Sequence, residues 1–141
     1  MRDHVLSAGQ VIFGVATDDS HHYSDFSSNM ANPGRGWVVV KASDLSTEAI
    51  VDSLATGQFY FSTGVELARL DISNQAVSLE IVQLRDYIYN TRFIGKDGMV
   101  LSDSGGLEAS YHISGDEGYV RAVVRSSYGS RAWTQPMFTS Q

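Results

Sequence analysis

Leu107-Glu108-Ala109-Ser110-Tyr111-His112-Ile113 alternates apolar and polar residues without a break. Successive side chains of a strand point to opposite faces. Leu107, Ala109, Tyr111 and Ile113 therefore share one face, and Glu108, Ser110 and His112 the other. That is the pattern of a half-buried strand in an antiparallel sheet. The same alternation recurs on both sides of it. Val77, Leu79 and Ile81 oppose Ser78 and Glu80, and Val120, Ala122 and Val124 alternate with Arg121, Val123 and Arg125. Gly95-Lys96-Asp97-Gly98, Ser104-Gly105-Gly106, Ser114-Gly115-Asp116-Glu117-Gly118 and Tyr128-Gly129-Ser130 supply turns between the strands. Short alternating strands with glycine turns over residues 65–141 predict a small, independently packed antiparallel sandwich of the immunoglobulin-like kind. Tyr111, Tyr119, Trp133 and Phe138 are most simply its core. Trp133 is expected to be substantially buried, because its large apolar surface sits amid polar neighbours.

Upstream of residue 65 the grammar changes. Val11-Ile12-Phe13-Gly14-Val15-Ala16 and Trp37-Val38-Val39-Val40 are apolar at nearly every position. Runs of that kind suit strands of a parallel sheet covered on both faces. Asp3 to Gly9 reads as the last turns of a helix ended by Gly9. A second helix has Ser46 as its N-cap and Glu48 in its first turn; Ile50, Val51, Leu54 and Ala55 form its apolar stripe, and Gly57 closes it. Phe59-Tyr60-Phe61-Ser62 follows as a strand. The expected fold class is therefore α+β, with the remnant of a parallel α/β barrel in residues 1–64 and the sandwich in residues 65–141.

Of the 141 residues, 43% are apolar, enough for a packed core. The net charge of −6 argues against nucleic acid or an anionic membrane as partner, since either selects a basic face. With no cysteine, disulfides, thiolate zinc sites and cysteine nucleophiles are excluded. No apolar run approaches the roughly 18 residues of a spanning helix. Met1-Arg2-Asp3-His4 does not open like a signal peptide, which leaves the compartment open with the cytoplasm favoured.

Asp18-Asp19-Ser20-His21-His22 is the one dense cluster of metal-competent side chains. Carboxylate oxygen and imidazole nitrogen suit zinc, manganese or iron. The two-residue spacing of Asp19 and His21 puts both on one side of an extended chain, and Asp18 and His22 are possible further ligands. Solvated acidic loops containing histidine are common, so a purely solvent-facing loop is the competing reading. A nucleophilic triad of Ser20, His21 and Asp19 fails on geometry, because sequence neighbours cannot line up as nucleophile, base and orienter. His4 and His112 lie elsewhere, the latter on the outer face of its strand. Gly34-Arg35-Gly36-Trp37 offers Arg35 as a phosphate contact, or is a glycine hinge before a buried strand. Ser62-Thr63-Gly64 presents backbone N–H groups to a phosphate, or is a plain strand exit.

The stretches Phe13-Gly-Val-Ala-Thr-Asp-Asp-Ser-His-His-Tyr23, Gly36-Trp-Val-Val-Val-Lys-Ala42 and Gly57-Gln-Phe-Tyr-Phe-Ser-Thr-Gly64 together resemble the closing portion of a PHP (polymerase and histidinol phosphatase) domain. Tyr119-Val-Arg-Ala-Val-Val124 and Gly129-Ser-Arg-Ala-Trp-Thr-Gln-Pro136 are similar to the β-domain that follows some PHP phosphoesterases. The resemblance implies a distorted α/β barrel, two or three divalent metals, and phosphoester hydrolysis by metal-activated water. It implies Asp19 and His21 as the last ligand pair. The family's early His-x-His motif and its intermediate Glu and His ligands have no counterpart here. The expectation is a C-terminal fragment of a longer enzyme, inactive as an isolated chain and weak in metal binding, with a phosphoester substrate only once the missing barrel half is supplied. The alternative is a non-catalytic sandwich serving in binding or assembly. Apolar strands deprived of their barrel neighbours further predict a homodimer or higher self-association.

Overall fold

The computed structural model describes residues 2–139. It is a β-rich fold with two short α-helices, and every strand pairing in it is antiparallel. Helix α1 (Arg2–Ser7) leads into β1 (Trp37–Val40), α2 (Thr47–Ala55) and β2 (Phe59–Ser62). Then come β3 (Leu67–Ile72), β4 (Ala76–Ile81), β5 (Tyr89–Ile94), β6 (Val100–Gly105) and β7 (Glu108–His112). The last strands are β8 (Tyr119–Ser126), β9 (Arg131–Trp133) and β10 (Met137–Phe138). A seven-stranded sheet runs β1-β2-β9-β8-β5-β6, with β10 also on β8, and faces a three-stranded sheet β3-β4-β7.

The alternating runs build the interface between the sheets. Val77, Leu79 and Ile81 from the small sheet meet Phe93, Val120, Ala122 and Val124 from the large one, and all seven are buried. Residue 65 lies where the chain leaves the large sheet for the small one, and Val65 is itself in the core. Strands from both sides of that point share the large sheet, because Phe61 and Ser62 of β2 pair with Trp133 and Ala132 of β9.

The parallel strands expected upstream are not formed. β1 pairs antiparallel with β2, from Trp37 opposite Ser62 to Val40 opposite Phe59. Residues 11–16 form no strand at all. They cross the outer face of β2 in an irregular path, with Phe13 edge-on to Phe59 at 6.1 Å. A Cβ on Gly14 would come within 2.6 Å of the Phe61 ring. Instead of a neighbouring strand, a side chain meets the Gly14 backbone: its N–H donates to Gln135 Oε1 (3.0 Å) and its C=O accepts from Gln135 Nε2 (2.8 Å). An apolar run becomes a strand only where a partner backbone lies alongside, and here the nearest sheet lies beneath it. Val11 and Val15 remain exposed.

The helix signals fare better. The Ser46 hydroxyl accepts from the Ala49 N–H at 3.2 Å, and Gly57 takes φ +75° just past the end of α2. Of the apolar stripe only Ile50 and Leu54 are half-buried; Val51 and Ala55 face solvent. The buried position is Ser53, whose hydroxyl donates to the Lys41 carbonyl. Trp133 is half-buried and stacks on Phe61 at 5.1 Å. Tyr119 is wholly buried, but under α1 on the outer face and not between the sheets.

Candidate functional site

Residues 17–36 form a long loop that starts and ends at one place. Gly36 sits so close to Thr17 that a Cβ there would approach the Thr17 carbonyl oxygen to 2.9 Å. The hinge reading of Gly36 thus has a steric cause: any side chain would wedge the loop mouth open.

Asn32 organises the interior of the loop. It is 6% exposed, and its amide donates to the carbonyls of His22 (2.9 Å) and Asp25 (2.7 Å). The Ala31 carbonyl accepts from the N–H groups of both His21 and His22. Those bonds fix the backbone that carries the histidines. Asp19 adopts φ +48°, a left-handed conformation that aspartate tolerates better than most residues. The reversal brings Asp19 Oδ1 to 3.9 Å from His21 Nε2, with both side chains largely exposed.

Asp18 does different work. Its Oδ2 accepts from the Gly34 N–H at 2.6 Å and ties the two limbs of the loop together. Arg35 reaches Asn32 Oδ1 only at 3.5 Å and is otherwise exposed. His22 is exposed and takes part in the loop through its backbone. Among the described residues no third His, Asp or Glu joins Asp19 and His21. The donor chemistry fits a borderline divalent metal, but two ligands make an open half of a coordination shell.

Ser62-Thr63-Gly64 is a strand exit. The Thr63 N–H donates to the Arg131 carbonyl, and the N–H groups of Gly64 and Val65 both donate to Ser62 Oγ. No backbone donor there is left over for a phosphate.

A second cluster escaped the sequence reading. Asp3 on α1 accepts from Tyr119 Oη (2.7 Å), Arg121 Nε (2.8 Å) and an Arg121 terminal nitrogen (2.8 Å). Burial pushes the Asp3 carboxyl up, but the bonds from Arg121 and Tyr119 hold it below the ordinary carboxylate range. Burial and the Asp3 charge push the Tyr119 hydroxyl up to about 12. Arg2 lies over the Phe61 ring at 5.3 Å and donates to Gln135 Oε1. Burial, and then the charge of Arg121, lower it to about 10. Arg2 Nε is buried without a hydrogen-bond partner, and the bonds of Asp3 and Arg2 lock α1 to the sheet. Asn-Pro-Gly at residues 32–34 was a turn signal that could have drawn attention to Asn32. Nothing local to residue 3 announces Arg121.

No family model, curated protein or solved structure matches this chain.

Proposed function

We propose that this chain carries the closing ligand pair of a PHP-type metal-dependent phosphoesterase, with Asp19 and His21 as that pair. The observation that carries the reading is their convergence to 3.9 Å on a loop whose backbone is fixed by Asn32. Asp19 contributes a carboxylate oxygen and His21 an imidazole nitrogen. Asn32 fixes the loop backbone next to them through the His22 and Asp25 carbonyls, and Arg35 at the loop exit offers a guanidinium to a phosphoryl oxygen. Zinc, manganese or iron, when bound, supplies an activated water and charge stabilisation. In this reading residues 1–64 correspond to the end of a PHP domain, although here β1 and β2 join the large antiparallel sheet in place of a parallel barrel, and residues 65–141 correspond to its immunoglobulin-like closing module. The isolated chain binds metal weakly and does not hydrolyse phosphoesters, because two ligands cannot complete a shell.

Titration of Mn²⁺ into the purified chain, followed by calorimetry, tests this. Even a supporting partner of a metal ligand is worth about 10–100-fold in affinity. Asp19→Ala and His21→Ala are therefore each expected to weaken Mn²⁺ by at least about tenfold. An unchanged isotherm in both variants would remove the metal role. Measurable hydrolysis of an aryl phosphate with added Mn²⁺ would overturn the claim of inactivity.

A second reading, assembly, rests on β1. This strand ends the large sheet, its outer edge has no strand partner among the described residues, and it contains neither charge nor proline. Trp37 and Val39 are 39% and 36% exposed. Natural edges are normally blunted, and an apolar unblunted one is a template for a second strand. We propose that two copies pair through β1 about a two-fold axis. Sedimentation at micromolar concentration is expected to give a dimer, and Val39→Lys to give the 15.4 kDa monomer. A wild-type chain that stays monomeric excludes the pairing.

A further inference from the structure

We infer that the outer face of the large sheet carries an oxyanion site built on Arg125 and Arg131, which takes a tetrahedral phosphoryl dianion. The two residues are direct cross-strand partners on β8 and β9, so their side chains leave the same face side by side. Their Cβ atoms are then about 5 Å apart. Both are exposed.

Like charges directly opposite one another on a sheet are destabilising. The other strand arginines avoid this. Arg69 pairs with Asp71 and Glu80, Arg92 with Asp103, and Arg121 with Asp3. Among the described residues Arg125 and Arg131 form no ion pair, although the chain has 16 acidic residues to 10 basic ones. Asp103, an acid on the same face, is already held by Asn90 and Arg92. Asn90 is the other cross-strand neighbour of Arg125. The Asn90 amide is spent on Asp103 and the Ser104 carbonyl, and Asp103, whose charge Arg125 feels, is bonded to Arg92; the Arg125–Arg131 pair therefore presents two guanidinium forks with no ion-pair partner among the described residues.

The platform beneath is rigid. The Arg131 N–H donates to Thr63 Oγ1 (3.0 Å), and its carbonyl accepts from the Thr63 N–H (2.8 Å) and Ser62 Oγ (3.1 Å). Two planar forks rooted about 5 Å apart can grip different oxygens of one phosphoryl group, whereas chloride or a lone carboxylate oxygen satisfies one fork at a time. A dianion also removes the repulsion between the arginines. With a net charge of −6 the molecule has no general affinity for anions, so binding must be local.

The site does not depend on a metal at Asp19 and His21, and it is tested on the EDTA-treated full chain. Thermal melting and calorimetry with inorganic phosphate are compared with chloride at equal ionic strength. Phosphate is expected to raise the melting temperature and chloride to leave it unchanged. Arg125→Gln and Arg131→Gln should each weaken phosphate about tenfold or more, the scale of a lost charge-assisted hydrogen bond. In phosphate-free buffer each variant should melt no lower than the wild type, because the repulsion is gone. His21→Ala should keep phosphate binding intact, which separates this site from the metal pair. O-phosphoserine binding more tightly than inorganic phosphate would point to an esterified ligand, and equal binding to the free ion. No phosphate response in the wild type, or wild-type affinity retained in both glutamine variants, overturns the site.

Discussion

Replacing Asp3 by alanine is expected to destabilise the fold by about 3 kcal/mol, the low end of the cost of breaking one side of a buried ion pair, because Arg121 is buried but Asp3 only half-buried. The Arg121 side chain is only 10% exposed and donates twice to Asp3. Without the carboxylate its charge stays buried and unpaired. The wholly buried Tyr119 also loses the acceptor for its hydroxyl. Helix α1 is then held by Leu6, by Arg2 on Gln135 and the Phe61 ring, and by the bond from the Asp97 N–H to Ser7 Oγ. Urea titration at neutral pH measures the loss. A variant within about 1 kcal/mol of wild type, the ordinary effect of a point mutation, would mean that α1 does not dock as described.

Acid should reproduce part of this effect. Asp3 is held below the ordinary carboxylate range in the folded chain, so its contribution is complete above that range and is lost as pH falls through the lowered value. Glu117 behaves in the same way, over a window that its environment sets. Burial pushes it up, but the N–H and hydroxyl of Ser114 and the N–H of Gly115 bring it from 4.5 down to about 2. Stability should therefore decline as pH drops from about 4.5 toward 2. The Asp3→Ala variant should decline less steeply than wild type, having already lost one of the two groups. Equal slopes would show that Asp3 titrates normally.

Phe93→Ala is the second large expected effect, about 3–5 kcal/mol. Phe93 on β5 is 0% exposed, lies opposite Ala122 of β8, and packs against Tyr111 of the small sheet at 5.7 Å. Removing its ring leaves a cavity between the two sheets that alanine neighbours cannot fill by relaxation. Phe93→Leu keeps most of the volume and should cost much less. A similar loss for both variants would indicate that ring stacking, not cavity volume, controls this position.

The loop that holds the candidate metal pair was legible as a place but not as a geometry. The two-residue spacing of Asp19 and His21 suggested that they share a side, and they do lie 3.9 Å apart. The cause is different: the positive φ of Asp19 and the bonds from Asn32 and to Ala31 set the approach, not an extended strand. Asp18 and His22 stood beside them in sequence as further candidate ligands. Only the closure of the loop shows Asp18 bound to the Gly34 N–H.

Within the sandwich, local pattern was enough. Val77, Leu79 and Ile81, like Val120, Ala122 and Val124, are buried as their alternation requires, because the two-residue period of a strand assigns each side chain to a face whatever its partner. Ser46 and Gly57 likewise bounded α2 through bonds and dihedral angles only a few residues long. What covers the other face of the large sheet was beyond any local signal. Arg121 and Val123 occupy the positions that alternation assigns to solvent, yet both are buried, Arg121 against Asp3 of the N-terminal helix. The contacts responsible join Asp3 to Arg121, 118 residues apart, and Gly14 to Gln135, 121 apart. The apolar runs Val11–Ala16 and Trp37–Val40 read as parallel strands because such a run suggests cover on both faces, but it does not say which chain lies alongside or which way it runs. Periodicity is a property of one strand. Cover and direction are properties of its neighbours, and only the tertiary structure supplies those.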